Sequence, residues 1–567
     1  MTESVESLSD LKDAFVELTS NETSLVDILV QAAKPQGTTV RICGGWVRDK
    51  ALGRVTKDID VAVDNCSGAA FAERAKAVLE AREDGKSSSS KIAVIAANPD
   101  QSKHLETATM RLYGLDVDFV NLRSEAYADA QSRVPTSVHF GTPLEDALRR
   151  DFTVNALFFN VHTKRIEDYT QKGWADLRAG VLRTPLEAKI TLLDDPLRAL
   201  RGVRFAARYG FSLDFSFVQA CRDPQVKQAL LTKVSRERVG KEIRGAFGAS
   251  AKGALRALNE LVNLNLASAT FRAVHAQSCI WNNDIDTTTK ESLQTLFDTN
   301  DKVISDTTSS IWRHASRCLN AHASLDFVHD PDGAAFRTRG GAQLALGLTL
   351  VPLAQATAIA TNAKKNAPLP AAICRDGLKL PNNDIDKVHK LTSRAIPLAI
   401  LVHRVAALYS SDQYDKDQFA ELRRDVGNFL FDTKELWIET TAVARAFELA
   451  TKEELWSDKE HFDLEAARPI IDAYATFLSA VRDSTRLGLD NIWSALIPFF
   501  DGNSITEAVG IPKGPAVGVL LQAQRDFQLA HPAASKTACQ AFLTNHYITL
   551  RDSDQLQAAV QNKKRRH

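Results

Sequence analysis

The 567-residue sequence lacks a charge excess of either sign, since 70 lysines and arginines face 70 aspartates and glutamates. Global attraction to an anionic partner is thereby excluded, and any nucleic-acid binding must come from a local basic surface. Cysteines are few: Cys43, Cys66, Cys221, Cys279, Cys318, Cys374 and Cys539 are scattered, with no CxxC pair. That pattern argues against a disulfide framework and for a reducing compartment. His275 with Cys279, and His314 with Cys318, are spaced one helical turn apart. Ordinary helix residues are the expectation there, and no zinc site is expected. No uninterrupted apolar stretch is long enough to span a bilayer, so no membrane association is expected. No internal repeat stands out.

The opening MTESVESLSDLKDAF has neither the apolar run of a signal peptide nor the arginine-rich, acid-poor character of a transit peptide. A cytoplasmic or nuclear protein follows, with a mitochondrial isoform left open although no presequence is seen. The final Lys563 to His567, KKRRH, reads as a solvated tail, with a nuclear address as the alternative.

What is present is a large apolar fraction, 44%, in a chain too long for one compact domain. The most informative stretch runs from Arg41 to Asp64, RICGGWVRDKALGRVTKDIDVAVD. Thr38 to Cys43 reads as a short strand, Gly44-Gly45 as a tight turn, Trp46 to Gly53 as a brief helix and Asp58 to Val63 as a second strand. Side chains alternate along a strand, so Asp58 and Asp60 share one face while Ile59, Val61 and Val63 can enter a core. Two adjacent carboxylates repel unless a cation or proton sits between them, and hard oxygen ligands suit Mg²⁺ carrying a nucleotide phosphate. Gly44 and Gly45 let backbone N–H groups approach a phosphate, and Arg48 can add a charged fork. A lone DxD would be only an acidic edge strand; the combination is far more specific.

GGWVRD, then LGR, then DID resembles the signature of the class II tRNA nucleotidyltransferases of eukaryotic type, the CCA-adding enzymes, and of the related bacterial poly(A) polymerases. These families lie in the polymerase β superfamily. The resemblance implies Asp58 and Asp60 as metal ligands, with Gly45 and Arg48 on the nucleotide. It extends over roughly the first 250 residues.

Gly68 to Arg82 reads as a helix, Glu83 to Lys91 (EDGKSSSSK) as a loop, and Ile92 to Ala97, Glu106 to Leu112 and Leu115 to Leu122 as strands of a small mixed sheet. LDVDFVNLR puts Asp116 and Asp118 on one face; the resemblance aligns Asp118 with a third active-site carboxylate, an edge-strand carboxylate being the alternative. By resemblance alone, Asn98 to Lys103 occupies the place of a loop that rearranges between adding C and adding A. In LEDALRRDFTVNALFFN, Leu144, Leu148 and Phe152 recur at helical spacing. The Arg149-Arg150-Asp151 triplet could be a surface ion-pair cluster. The longer RRDFTxNA match resembles the family's second motif, implying that Arg150 contacts the nucleotide and Asp151 accepts from a ribose hydroxyl, with Asn155 as support. Arg165 to Gly180 resembles a hinge between catalytic head and neck.

In LLDDPLRALRGVRFAARYGF, Leu192 to Phe211, Asp195 before Pro196 is a helix start. Leu197, Leu200, Val203 and Ala207 form a buried stripe, with Arg198, Arg201 and Arg204 spiralling around the other side. A capping aspartate and a solvated or phosphate-binding arginine face would account for this. Hydrogen-bond chemistry offers a sharper reading. C and A both present an amino donor beside an unprotonated ring nitrogen, so one aspartate and one arginine select the two bases together. DPLR with LRxxRFAxRYGF resembles the family's amino-acid template. It implies Asp195 and Arg198 as base readers and Arg201 and Arg204 as further nucleotide or structural contacts.

Val234 to Phe247 reads as a basic helix resembling the family's last motif. Beyond residue 250 the segments are alanine- and leucine-rich helices, for example Gly341 to Thr361, Asp432 to Thr451 and Glu465 to Val481. The expected fold is α+β: a small mixed-sheet nucleotidyltransferase head over residues 1–180, then an all-α neck (181–270), body (271–430) and tail (431–567), the tail binding tRNA. The expected activity is template-independent addition of CCA to the 3′ end of tRNA from CTP and ATP, by a monomer with Mg²⁺ in a two-metal mechanism. An enzyme adding only CC or only A, a poly(A) polymerase and a non-catalytic tRNA-binding protein are the alternatives.

Overall fold

The structure is a computed structural model that describes residues 16–56, 58–82, 93–95, 107–126, 137–274, 276–281, 309–326, 340–360, 366–410, 415–457 and 462–551. The expected loops Glu83 to Lys91 and Asn98 to Lys103, His275, and the tail Lys563 to His567 lie outside the described residues. The chain forms two compact units, one holding the described residues through Arg272 together with Asp376–Lys379, the other the rest.

In the first unit, helix α1 (Ser20–Ala33) starts later than the apolar spacing from Asp10 suggested, because Thr19 and Glu22 close a capping box there. Leu25, Val26, Ile28 and Leu29 are its buried face. Strand β1 (Val40–Cys43), helix α2 (Gly45–Ala51) and strand β2 (Asp58–Val63) follow as the sequence predicts. In β2, Ile59 and Val61 are buried while Asp58 and Asp60 are exposed, as strand alternation requires.

Helix α3 (Gly68–Arg82), strands β3 (Ala93–Ile95), β4 (Thr107–Leu112) and β5 (Leu115–Asn121), a hairpin of β6 (Arg123–Ala126) and β7 (Ser137–Phe140), and strands β8 (Phe158–Asn160) and β9 (Arg165–Glu167) complete the head. The main sheet has the order β3-β4-β5-β2-β1-β8-β9. Every neighbouring pair is antiparallel except β2 and β5, which run parallel with Asp58 opposite Asp116 and Asp60 opposite Asp118. A parallel pair needs a crossover, and α3 begins it, packing on β4 and β5.

Helix α4 (Pro143–Leu148) is shorter than the expected Leu144, Leu148, Phe152 periodicity. Leu144 is exposed, and the helix buries Asp146 and Ala147 instead. Phe152 lies beyond the helix end and meets Phe205 and Phe217 edge-on. Helices α5 (Gly173–Ala179), α6 (Ala188–Asp194), α7 (Leu197–Tyr209), α8 (Phe215–Arg222), α9 (Pro224–Lys233), α10 (Arg236–Phe247) and α11 (Ala251–Asn263) follow. The buried stripe of α7 is Leu197, Leu200, Val203 and Ala206, with Phe205 added; Ala207, expected in the stripe, is only partly buried. Packing against both α10 and α11 widens the covered face, so that Ala199 and Gly202 are buried as well.

The second unit is mainly helical. Asn382–Ser410 is long and apolar enough by length and composition to cross a membrane, which the sequence reading missed. One face of it is buried, with Val388, Leu391, Ala395, Leu398, Val402 and Val405, and it packs on Gly341–Leu350, Trp437–Thr451 and Arg468–Arg482. The expected helix from Gly341 to Thr361 ends at Leu350, and Ala356–Ala360 is a strand. That strand pairs with Ala276–Trp281 and Ala367–Pro368 in a small sheet, so Cys279 is on a strand and not on the expected helix. Pro352, two residues after the helix, ends the helical hydrogen bonding.

Gly68, the first residue of α3, lies so close to β5 that an added Cβ would stand 2.1 Å from the Phe119 carbonyl oxygen. Gly68→Ala should therefore lower the unfolding free energy by about 1–3 kcal/mol through overpacking. Denaturant titration is the measurement, and an unchanged midpoint would mean that α3 is not held against β5.

Candidate active site

The site begins where β1 ends. Cys43 lies opposite Asp60 in the β1–β2 ladder, and the next residue, Gly44, has φ +74°. An added Cβ at Gly44 would stand 3.0 Å from Asp60 Oδ2, so both conformation and space demand glycine beside the carboxylate. Gly45 then opens α2. Asp118, opposite Asp60 on β5, accepts a hydrogen bond at Oδ1 from the Thr109 hydroxyl at 2.6 Å.

A cavity of about 440 Å³ opens in front of this turn. Gly44 of the turn, Gly45 and Arg48 of α2 and Asp60 of β2 line one side. Arg150 and Asp151 line a second side, and Asp195, Arg198, Arg201 and Arg204 a third. Asp58 and Asp118 are not in the lining; they stand on the same sheet, Asp58 two residues before Asp60 and Asp118 across from it. The lining also includes Arg149, Phe205, Arg208 and Arg238, which the sequence motifs do not single out, and Asn155, expected as support. Arg208 continues the α7 arginine series and was legible by spacing. Arg238 carried no such signal, being 43 residues from the aspartate that it contacts.

Each charged group in the wall has partners. Arg48 is buried: Nε donates to Asp49 at 2.9 Å, Nη2 to the Tyr209 hydroxyl at 2.6 Å and Nη1 to Asn155, and the guanidinium lies 4.4 Å from the Tyr209 ring centroid. Asp146, at the base, takes Arg149 on Oδ1 and Arg150 on Oδ2, the latter at 2.8 Å. Burial alone would raise the Asp146 carboxyl, but Arg150 and Arg149 outweigh it and hold the pKa at about 2. Burial likewise pushes the Cys43 thiol up to about 11, making it a packing residue rather than a nucleophile.

Asp151 accepts at Oδ1 from the Phe152 N–H at 2.8 Å and from Asn155 Nδ2 at 2.9 Å, and at Oδ2 from Arg201 Nη2 at 2.6 Å. Its carboxyl is lowered because Arg201 and Asn155 overcome the opposing effect of burial. Asp195 lies two residues before α7, accepting at Oδ1 from the Leu197 N–H at 3.2 Å and at Oδ2 from Arg238 Nη2 of α10 at 3.0 Å. Arg198 donates from Nη2 to the Arg149 carbonyl at 2.7 Å and from Nη1 to the Thr191 carbonyl at 3.3 Å. Arg204 is tied to Glu242 of α10. The base-reading candidates are thus pre-set by neighbours while keeping hydrogen-bonding capacity, since a carboxylate has about four acceptor positions and a guanidinium five donors.

Asp58 and Asp60 are exposed on one face of β2, and Asp118 lies opposite Asp60 on β5, so the carboxylates on this edge offer oxygen donors only. That chemistry fits a hard divalent cation that keeps water and phosphate ligands. Among the described residues no group of three or more His, Cys, Asp or Glu stands close enough together to hold a metal ion.

Residues 40–183 match the Poly A polymerase head domain family. The chain is 32% identical to the mitochondrial CCA tRNA nucleotidyltransferase of Candida glabrata over 555 residues, covering 93% of this chain and 96% of that one. It is 31% identical to the tRNA nucleotidyltransferase cca2 of Schizosaccharomyces pombe, covering 94% and 98% of the two chains. A solved CCA-adding enzyme in an apo form is similar in fold at a TM-score of 0.55 and 18% identity, covering 93% of this chain and 96% of that chain.

Asp146 generates a pH dependence whose sign follows from its depressed pKa. Its pairing stabilises the folded state above the ordinary value of 3.8 and is lost as pH falls through about 2. Between about pH 4 and pH 2 the native protein should lose on the order of 2 kcal/mol from this group. Asp146→Asn should be less stable at neutral pH and flatter over that acid range. Chemical denaturation at several pH values tests this; parallel acid profiles would remove Asp146 from the linkage.

Proposed function

Because the chain belongs to the CCA tRNA nucleotidyltransferase family, it adds CMP and AMP from CTP and ATP to the 3′ end of tRNA, and we propose that the arginine-rich cavity is where it does so. The observation that carries this reading is that Asp60 and the Asp195–Arg198 pair line one cavity. A metal-binding carboxylate and a base reader must reach the same nucleotide, one at its phosphates and the other at its base.

Members of this superfamily use a divalent metal; we assign Mg²⁺, held by Asp58 and Asp60, with Asp118 as the third carboxylate. The chemistry that two bound ions supply is a lowered pKa for the terminal tRNA hydroxyl and neutralisation of the departing pyrophosphate. The protein's own groups do the rest. Arg48, Arg150 and Arg204, in geometry fixed before the substrate arrives, provide positive charge beside the triphosphate, and Arg201 adds to it. Asp195 accepts from the amino group of C or A, and Arg198 donates to the ring nitrogen. U and G would put a carbonyl against Asp195 and an N–H against Arg198, leaving polar groups unmatched. Asp151 accepts from the ribose. No nucleic-acid template is needed because these side chains present the complementary edge.

The reading extends to organisation: a catalytic head (1–180), a neck (181–270) bearing the base reader, and a helical body (271–430) and tail (431–567) that hold tRNA, acting as a monomer. The Candida glabrata relative is named as mitochondrial, and we propose a mitochondrial pool beside a cytoplasmic or nuclear one.

The direct test incubates the protein with tRNA ending before CCA, CTP, ATP and Mg²⁺, and sequences the product ends. Three added residues are expected; one or two would mean a partial enzyme, a long A tail a poly(A) polymerase, and none a binding protein. Asp58→Ala should reduce turnover by more than about 100-fold while tRNA affinity stays nearly intact. Arg198→Ala should raise UMP and GMP incorporation relative to CMP by about tenfold or more. Unchanged rejection of UTP and GTP would assign base reading to other groups.

A further inference from the structure

Asp151 has no acceptor position left. Oδ1 holds the Phe152 N–H and Asn155 Nδ2, and Oδ2 holds two donors of one guanidinium, Arg201 Nε at 2.7 Å and Nη2 at 2.6 Å. Four donors match the four lone-pair positions of a carboxylate. Asp195 differs: one backbone N–H and one Arg238 donor leave it room. A sugar hydroxyl can therefore reach Asp151 only if a present donor leaves.

The donors are unequal. The Phe152 N–H belongs to the backbone beside a fully buried ring. Asn155 is buried and also accepts from Arg48. The Arg201 side chain is 34% exposed against 8% for Asp151, and it lines the cavity. Arg201 is thus the movable partner. Its departure alone would strand a buried carboxylate, a penalty removed only if another donor takes its place. Its guanidinium, once detached, carries five N–H donors suited to a phosphate.

We propose that Arg201 is a displaceable latch on Asp151: the ribose 2′-hydroxyl of the incoming nucleotide replaces it, and the released guanidinium moves onto the triphosphate. This rests on the reading of the cavity as the nucleotide site and adds how sugar choice is made. A 2′-deoxynucleotide brings no donor to Asp151, leaves the latch closed and forgoes the Arg201 contact. Discrimination between the sugars is thereby expressed at the phosphates, and Arg201 is a specificity-determining residue rather than a fixed structural tie.

The test measures kcat/KM for CTP and for dCTP on tRNA ending before CCA, in the native protein, Arg201→Ala and Arg201→Lys, with melting temperature and tRNA affinity alongside. The native protein should prefer CTP. Arg201→Ala should lower CTP use by about 10–100-fold and change dCTP use by less than about threefold, collapsing the ratio by about tenfold or more. Arg201→Lys keeps a cation with a single donor centre and should give an intermediate ratio; it also serves if the alanine variant does not fold. A CTP to dCTP ratio preserved in both variants, with both substrates slowed equally, would overturn the latch, as would a native protein indifferent to the sugar. Failure of the native protein to add CMP at all would instead overturn the nucleotide-site reading and the latch with it.

Discussion

Eight arginines around one cavity repel one another, and the first unit depends on how that repulsion is contained. Most are held on carboxylate oxygens: Asp146 takes Arg149 and Arg150 one helical turn away, while Asp151 takes Arg201, Glu242 takes Arg204 and Asp195 takes Arg238 across the fold. Buried pairs of this kind add little net stability, because desolvation offsets much of the attraction. Their effect is geometric. Breaking a buried one would leave a charge without its partner, so the pairs of Asp151 with Arg201 and Glu242 with Arg204 each hold two elements in one arrangement.

That arrangement explains why, the Arg201 latch apart, the site can work without rebuilding itself. Positive charge is already oriented before a triphosphate enters, and dipoles that need not reorganise are the most effective at stabilising developing charge. The metal side is built differently. Asp58, Asp60 and Asp118 come from two parallel strands in register, so backbone hydrogen bonding rather than ion pairing sets their spacing. Charge crowding on the sheet invites a cation, whereas charge crowding on α7 and α4 is settled internally. One cavity therefore combines a carboxylate edge with a guanidinium wall whose members retain donors.

Much of this was legible in the chain. The alternation in Asp58–Val63, the glycine pair before α2 and the arginines at intervals of three on α7 are short-range patterns, and the structure has them as read. Misreadings arose where distant packing overruled local period. Leu144 fits a helical stripe yet is exposed, because two arginines draw Asp146 inward in its place. Gly341 to Thr361 has helical composition, but Ala356–Ala360 finds two strands to pair with. The apolar character of Asn382–Ser410 serves burial among neighbouring helices.

By itself the sequence determined which chemical groups are present and, where a period of two or 3.6 residues applies, which of them share a face. Asp58 with Asp60, and Asp195 with Arg198, are pairs of that kind. Only the tertiary structure decided that Asp118 stands beside Asp60, that Arg238 reaches Asp195, and that Arg201 closes the last acceptor of Asp151. Those relations join residues tens of positions apart, and no local periodicity encodes them. They arise from strand register and helix packing, which depend on how the whole first unit buries its apolar surface.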